Sequence, residues 1–170
     1  MLSGAQLYHA LPDVKVVRYV DLKKYKTLEE LLPPSKEIII LYPVRDCNDG
    51  HWTAGYLKNK TFYFFDSYGD AKFGAGGLPD DQLDYRVPDY KGPICDQTYF
   101  LKLIKDSPYE LDYNNFVYQS EKADTCGMWC IAYLFFKRGN DGFRSLFYPE
   151  KGVNLDTLVE KFVKKIFFSV

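Results

Sequence analysis

The chain has 170 residues, a formal net charge of −1, 46% hydrophobic and 18% aromatic residues. That length implies one domain, residues 1–170, able to bury a core without a disulfide or metal staple, and fifteen Tyr with thirteen Phe exclude a disordered chain. The near-zero charge excludes a global pull toward nucleic acid or a membrane surface, and the lysines at Lys23-Lys24 and at Lys161, Lys164 and Lys165 read as solvated helix faces.

Met1-Leu2-Ser3-Gly4-Ala5 does not read as a signal peptide, because no basic start leads into an apolar core. The longest apolar runs, Ile38–Val44 and Cys130–Phe136, are far shorter than a membrane span. Four cysteines, Cys47, Cys95, Cys126 and Cys130, are then expected as free thiols in a reducing, intracellular compartment.

In chain order, Lys15–Val20 is β-branched enough for a short edge strand. Thr27–Leu32 carries a capping-box pattern, Thr27 with Glu30, and Pro33-Pro34 ends the short helix it starts. Glu37–Tyr42 is a continuous apolar run suited to a central strand covered on both faces. After a loop at Arg45–Gly50, His51–Leu57 and Thr61–Asp66 read as a hairpin around Lys58-Asn59-Lys60, and the second strand runs out in the turn Asp66-Ser67-Tyr68-Gly69. Residues 70–93, rich in Gly and Pro, read as a long surface loop that could face a substrate. Asp96–Lys105 has helical spacing, and Asn115–Gln119 reads as a short strand entering a polar loop. Cys126–Lys137 is the central apolar helix, closed by Gly139-Asn140. Leu155–Phe168 is a terminal amphipathic helix with Leu155, Leu158, Val159, Phe162, Val163 and Ile166 on one face. Strands in the middle with helices around them give an α+β class: a central mixed sheet flanked by helices.

The polar loop 118–125 ends at Cys126, which opens the apolar helix. A thiol there meets unpaired backbone N–H groups and the positive end of the helix dipole, and both favour thiolate. A nucleophilic cysteine needs a base, a group orienting that base, and donors for the oxyanion. Of two histidines, His9 lies in a terminal stretch, whereas His51 begins a strand after a polar loop and is the candidate base. Hairpin pairing puts His51 opposite a position near 67, so Asp66 is the candidate orienting carboxylate. Gln119, seven residues before Cys126, is the candidate side-chain oxyanion donor beside the Cys126 N–H. Gly127 keeps the helix start open for a substrate carbonyl.

The set His51-Trp52, Phe65-Asp66-Ser67-Tyr68-Gly69, Gln119 and Thr125-Cys126-Gly127 resembles the adenovirus-type and SUMO-protease-type cysteine peptidases, which carry His-Trp, an acidic or amide residue, Gln and Cys-Gly in that order. The resemblance covers residues 38–136, and with Leu11-Pro12-Asp13-Val14 and the Tyr19–Leu32 stretch it points to the maturation proteases of virophages, Polinton-like elements and large DNA viruses. It implies an adenain-like fold and a Cys126-His51-Asp66 triad with Gln119 in the oxyanion hole. It also implies that Trp52 flanks the cleft, and that capsid or virion precursors are cleaved after small residues such as Gly. Adenoviral relatives also use DNA and a viral peptide as cofactors; nothing in this chain's charge supports that. No cofactor or metal is therefore expected, a role for nucleic acid stays open, no membrane partner is expected, and the protein is expected to act as a monomer. Two other readings stand beside this one: a deconjugating protease for ubiquitin-like or SUMO-like modifiers, and a non-catalytic binding module on a protease-like scaffold. A zinc site built from Cys126, Cys130, His51 and Cys47 or Cys95 is disfavoured, because C-x₃-C has no second paired motif. Cys130 reads as core.

Overall fold

The computed structural model describes residues 1–46, 49–69, 99–148 and 151–169. Five strands, β1 (Lys15–Arg18), β2 (Glu37–Asp46), β3 (Asp49–Lys58), β4 (Thr61–Phe65) and β5 (Glu110–Tyr113), form one sheet in that spatial order. β2–β3 and β3–β4 are antiparallel, while β1 and β5 join the two edges in parallel, so the sheet is mixed. Among the described residues six α-helices surround it: α1 (Gly4–Ala10), α2 (Leu28–Leu31), α3 (Tyr99–Lys105), α4 (Cys126–Phe136), α5 (Gly139–Leu146) and α6 (Leu155–Phe167). The architecture is α+β. Among the described residues no helix is long and apolar enough to cross a membrane.

Two buried clusters explain why the central strands are apolar without interruption. Ile39 and Leu41 of β2, Trp52, Ala54 and Tyr56 of β3 and Phe65 of β4 pack with α1, α4, α5 and α6. Ile38, Ile40, Phe62 and Phe64 alternate to the opposite face and pack with α2, α3 and the 3₁₀ turn at Tyr19–Lys24. Side chains of period two feed both layers, so a strand covered twice has no polar face. α4 is the helix most enclosed, buried from Cys126 to Leu134 except at the partly exposed Met128. Aromatic rings fill the space beneath it, with Tyr133 stacked on Phe65 at 4.5 Å and Trp129 5.2 Å from Tyr118.

Several expected boundaries move. The first strand ends at Arg18, and Tyr19–Lys24 turns as a 3₁₀ helix because Tyr19 and Leu22, three apart, both bury. Thr27 accepts from the Glu30 N–H at 3.2 Å, but Glu30 reaches back to the Lys26 N–H, one residue beyond the capping box expected at Thr27. The loop expected at Arg45–Gly50 is mostly strand, since β2 runs to Asp46, β3 starts at Asp49, and the two pair as Asp46 with Asp49. The helix expected over Asp96–Lys105 is described from Tyr99. Cys47, Cys95 and the 70–93 loop lie outside the described residues.

The strand expected at Asn115–Gln119 is not there; the edge strand is Glu110–Tyr113. After Tyr113 the ladder is continued by a side chain instead of backbone. Asn114 accepts the Asp66 N–H at 2.8 Å and donates to the Asp66 carbonyl at 2.6 Å, so its amide stands in for a peptide group and lets the chain peel away. Gly139-Asn140 does not close α4: Lys137, left-handed at φ +46°, does so, and Gly139 opens α5. On α6 the buried residues are Asp156, Val159 and Val163, while Leu158 and Ile166 are 41% and 51% exposed. The core-facing stripe is therefore narrower than the apolar pattern, and a carboxylate occupies its first turn.

The turn after β4 depends on one glycine. Gly69 sits at φ +54°, and a Cβ there would stand 2.7 Å and 2.8 Å from the carbonyl oxygens of Phe116 and Asn115, which are backbone and cannot swing aside. Gly69→Ala is expected to lower unfolding stability by about 2 kcal/mol or more. Gly4→Ala, where nothing lies within 4 Å, should be neutral or slightly stabilising when both variants are unfolded in urea beside the parent.

Candidate active site

β3, β4 and α4 converge so that side chains distant in sequence meet. The hairpin turn places Asn59 at φ +54° and pairs Lys58 with Thr61 and Ala54 with Phe65. Three residues before Ala54 on β3 is His51; one residue past Phe65 is Asp66. The ladder has ended there, and the freed chain turns the Asp66 carboxylate toward the ring. His51 Nε2 and Asp66 Oδ1 are 2.7 Å apart, both buried. The same Oδ1 accepts the Tyr68 N–H at 2.9 Å, an Asx-type turn that fixes the carboxylate. The Tyr68 ring stacks on the imidazole with centroids 4.6 Å apart.

With Nε2 turned to Asp66, Nδ1 is the nitrogen that faces the thiol. Cys126, the first residue of α4, is hydrogen-bonded to His51 and to the backbone N–H groups of Trp52 and Gly127. The helix start supplies these donors because its N-cap residue, Thr125, makes no capping bond of its own. Burial of Cys126 pushes its pKa up, but the His51 hydrogen bond and charge and the two N–H groups outweigh it, and the net shift is down. Burial pushes the His51 ring down; Asp66, by charge and hydrogen bond, and then Cys126 outweigh it and hold the ring at about 9. Each partner favours the charged form of the other.

Gln119 is buried in the same cluster. Ser67 Oγ donates to its Oε1 at 2.7 Å, which orients the amide, and its Nε2 donates to the Tyr68 hydroxyl at 3.2 Å and to the Ala123 carbonyl. Its backbone N–H and that of Tyr118 both donate to the Ser67 carbonyl, at 3.0 and 2.9 Å. The 115–119 segment is thus held to the turn after β4 by one shared oxygen, which is why it needs no strand. Trp52 donates its indole N–H to the Leu2 carbonyl at 2.9 Å, and Gly127 is so close to both that a Cβ on it would lie 3.1 Å from Leu2 Cβ and 3.4 Å from Trp52 Cδ1.

All six residues singled out from the sequence (His51, Trp52, Asp66, Gln119, Cys126 and Gly127) fall in this cluster. His9 does not, since its ring stacks on Phe168 instead, with centroids 5.9 Å apart. Three further residues belong to the site. Tyr68 touches both the base and Gln119, and burial with the nearby Cys126 and Asp66 charges pushes its phenol up to about 12, so it stays a neutral hydroxyl. Ser67 and Asn114 hold Gln119 and Asp66. Ser67 and Tyr68 were within the noted turn; Asn114 carries no local signal, because its partner is 48 residues away. Cys130, one turn further along α4, is fully buried, and burial pushes its thiol up.

The paired shifts have a direct kinetic consequence. Iodoacetamide reacts with thiolate, so Cys126 should alkylate at pH 6 to 7 far faster than a free thiol of pKa about 8.5. Cys126→Ala should remove that fast phase, and the rate should fall on acidification as the thiolate is protonated. A rate profile rising only near the free-thiol value would show that His51 does not stabilise the anion.

No family model matches the chain. A search of known proteins finds the uncharacterized protein V9 of Sputnik virophage, 33% identical over 128 residues, which span 72% of this chain and 68% of that protein. The identity and coverage establish common descent across most of both sequences, and the chain belongs to the same protein family as V9 of Sputnik virophage.

Proposed function

We propose that this protein is a cysteine endopeptidase of the viral maturation type, cleaving capsid or virion precursors after small residues such as Gly. One observation carries the reading: the His51 ring is held between the buried Asp66 carboxylate and the thiol of Cys126 at an uncapped helix start. A virophage relative supports the viral setting, and the resemblance of the His-Trp, Asp, Gln and Cys-Gly set to viral maturation proteases supports the substrate class.

In this reading the Cys126 thiolate adds to the scissile carbonyl carbon, forming the S–C bond and a tetrahedral oxyanion. The Cys126 N–H and a Gln119 amide N–H stabilise that oxygen; the Gln119 hydrogen directed at Tyr68, 3.2 Å away, is the one placed to turn to it. Imidazolium His51 gives its Nδ1 proton to the departing amine as the C–N bond breaks. Neutral His51 then takes a proton from water, hydroxide adds to the thioester, and the acid product leaves with the thiolate and imidazolium restored. Asp66 keeps Nε2–H oriented and stabilises the charged ring throughout.

Cys126 is only 3% exposed. Leu2 and Trp52 pack closely against Gly127 beside Cys126, where an added Cβ would be tight.

Co-expression with candidate capsid precursors, followed by mass spectrometry of the products, tests the proposal. New N-termini after small residues are expected with the parent protein, and none with Cys126→Ala, whose fold should be unchanged by circular dichroism. Asp66→Asn should retain cleavage at least about tenfold below the parent, because an amide still accepts the imidazole N–H but no longer offsets its charge. Cleavage by Cys126→Ala at the parent rate would end the proposal.

A further inference from the structure

Asp156 lies in the first turn of α6, and its carboxylate points away from solvent into the cysteine loop. Three neutral donors meet it. Oδ2 accepts the Ser120 N–H at 2.9 Å, and Oδ1 accepts the Thr125 hydroxyl and the Trp129 indole N–H, the latter at 3.2 Å. Ser120 directly follows Gln119, Thr125 directly precedes Cys126, and Trp129 is one turn into α4. A single carboxylate therefore clamps both ends of the 120–125 loop to the helix that carries the nucleophile. The Ala123 carbonyl, which holds the Gln119 amide nitrogen, is inside that clamp.

The clamp also explains the uncapped helix start. Thr125 occupies the position where a hydroxyl ordinarily accepts a backbone N–H of the first turn, yet it donates to Asp156 and makes no capping bond. Burying a carboxylate is costly unless its oxygens are well satisfied, and an apolar residue would cover this face of α6 more cheaply. Both oxygens are needed, because the donors approach from the loop on one side and the helix on the other. An asparagine offers one accepting oxygen and turns an NH₂ toward the remaining donor.

We propose that Asp156 is a positioning residue for acyl transfer: it sets the distance between the Gln119 amide and the Cys126 backbone N–H so that both meet one oxyanion. The inference rests on the endopeptidase reading of the site. It predicts that losing Asp156 harms steps that form an oxyanion and spares steps that do not.

Two reagents separate these. Iodoacetamide forms an Sγ–CH₂ bond and releases iodide without any oxyanion. p-Nitrophenyl acetate is attacked at its carbonyl, passes through a tetrahedral oxyanion, releases p-nitrophenolate and leaves an acetyl group on Sγ. Asp156→Asn should slow acetylation about 10- to 100-fold, the scale of a small misplacement of catalytic groups. Its alkylation rate and pH profile should stay within about twofold of the parent. Thr125→Val, isosteric and missing one of the three bonds, should move acetylation the same way by less, and it decides the matter if Asp156→Asn does not fold. Parent-like acetylation in the folded variant, or a proportional fall in both reactions, would overturn the inference alone. A parent protein acetylated no faster than a small free thiol would overturn the endopeptidase reading, and the inference with it.

Discussion

The constraint on which the site depends is the mutual charging of three buried groups. An imidazole, a thiol and a carboxyl enclosed together would each prefer to be neutral, since burial opposes every charge. For the ring and the thiol the preference is reversed because the ring lies 2.7 Å from Asp66 on one side and is hydrogen-bonded to the Cys126 sulfur on the other. Desolvation then works for the site, because in a poorly screened interior the attraction between thiolate, imidazolium and carboxylate is stronger than in water. Removing any one member takes away part of what offsets the burial of the others, so the three are coupled and their effects on rate should not add.

Holding such a trio requires the fold to bring together elements that do not adjoin in sequence. The β3–β4 hairpin delivers the base and its carboxylate on adjacent strands, and α4 brings the sulfur across the sheet face. Two side-chain bridges and one backbone carbonyl complete the assembly where regular structure ends. The Asn114 amide holds the Asp66 peptide, the Ser67 carbonyl gathers two N–H groups of the 115–119 segment, and the Asp156 carboxylate ties α6 to the cysteine loop. Each lies at the end of a strand or helix, where backbone groups lack regular partners and a polar side chain can supply them. The two packed layers beneath, one on each sheet face, make these ends rigid.

The local parts of this arrangement were legible in the sequence. Hairpin register brought Asp66 near His51, although the observed ladder stops at Ala54 and Phe65 and the contact itself is made by the chain that turns beyond it; the thiol at a helix start follows from a polar loop meeting an apolar run. The doubly covered β2 was evident in its unbroken apolar stretch. What escaped was long-range or masked by weak local propensity. β5 reads Glu-Leu-Asp-Tyr, with little of the β-branched character of a strand, and forms because β4 offers it an edge. α5 contains two glycines and few helix formers, and holds because Phe143 buries in the aromatic cluster. α1 did leave a trace, since Ser3 and Gln6 make a full capping box, a spacing visible in the chain. Asp156 carries no signal of its own in the sequence; only the fold reveals that it faces inward.

The charge state of His51 tests the account most directly. An NMR titration of its imidazole should show the ring protonated through neutral pH and losing its proton at about 9. In Cys126→Ala the value should fall, as one of the groups favouring the cation is gone, and in Asp66→Asn it should fall further, since burial then acts with less opposition. A His51 ring that titrates at or below the ordinary histidine value of about 6.5 in the parent protein, and is unmoved in both variants, would contradict the account.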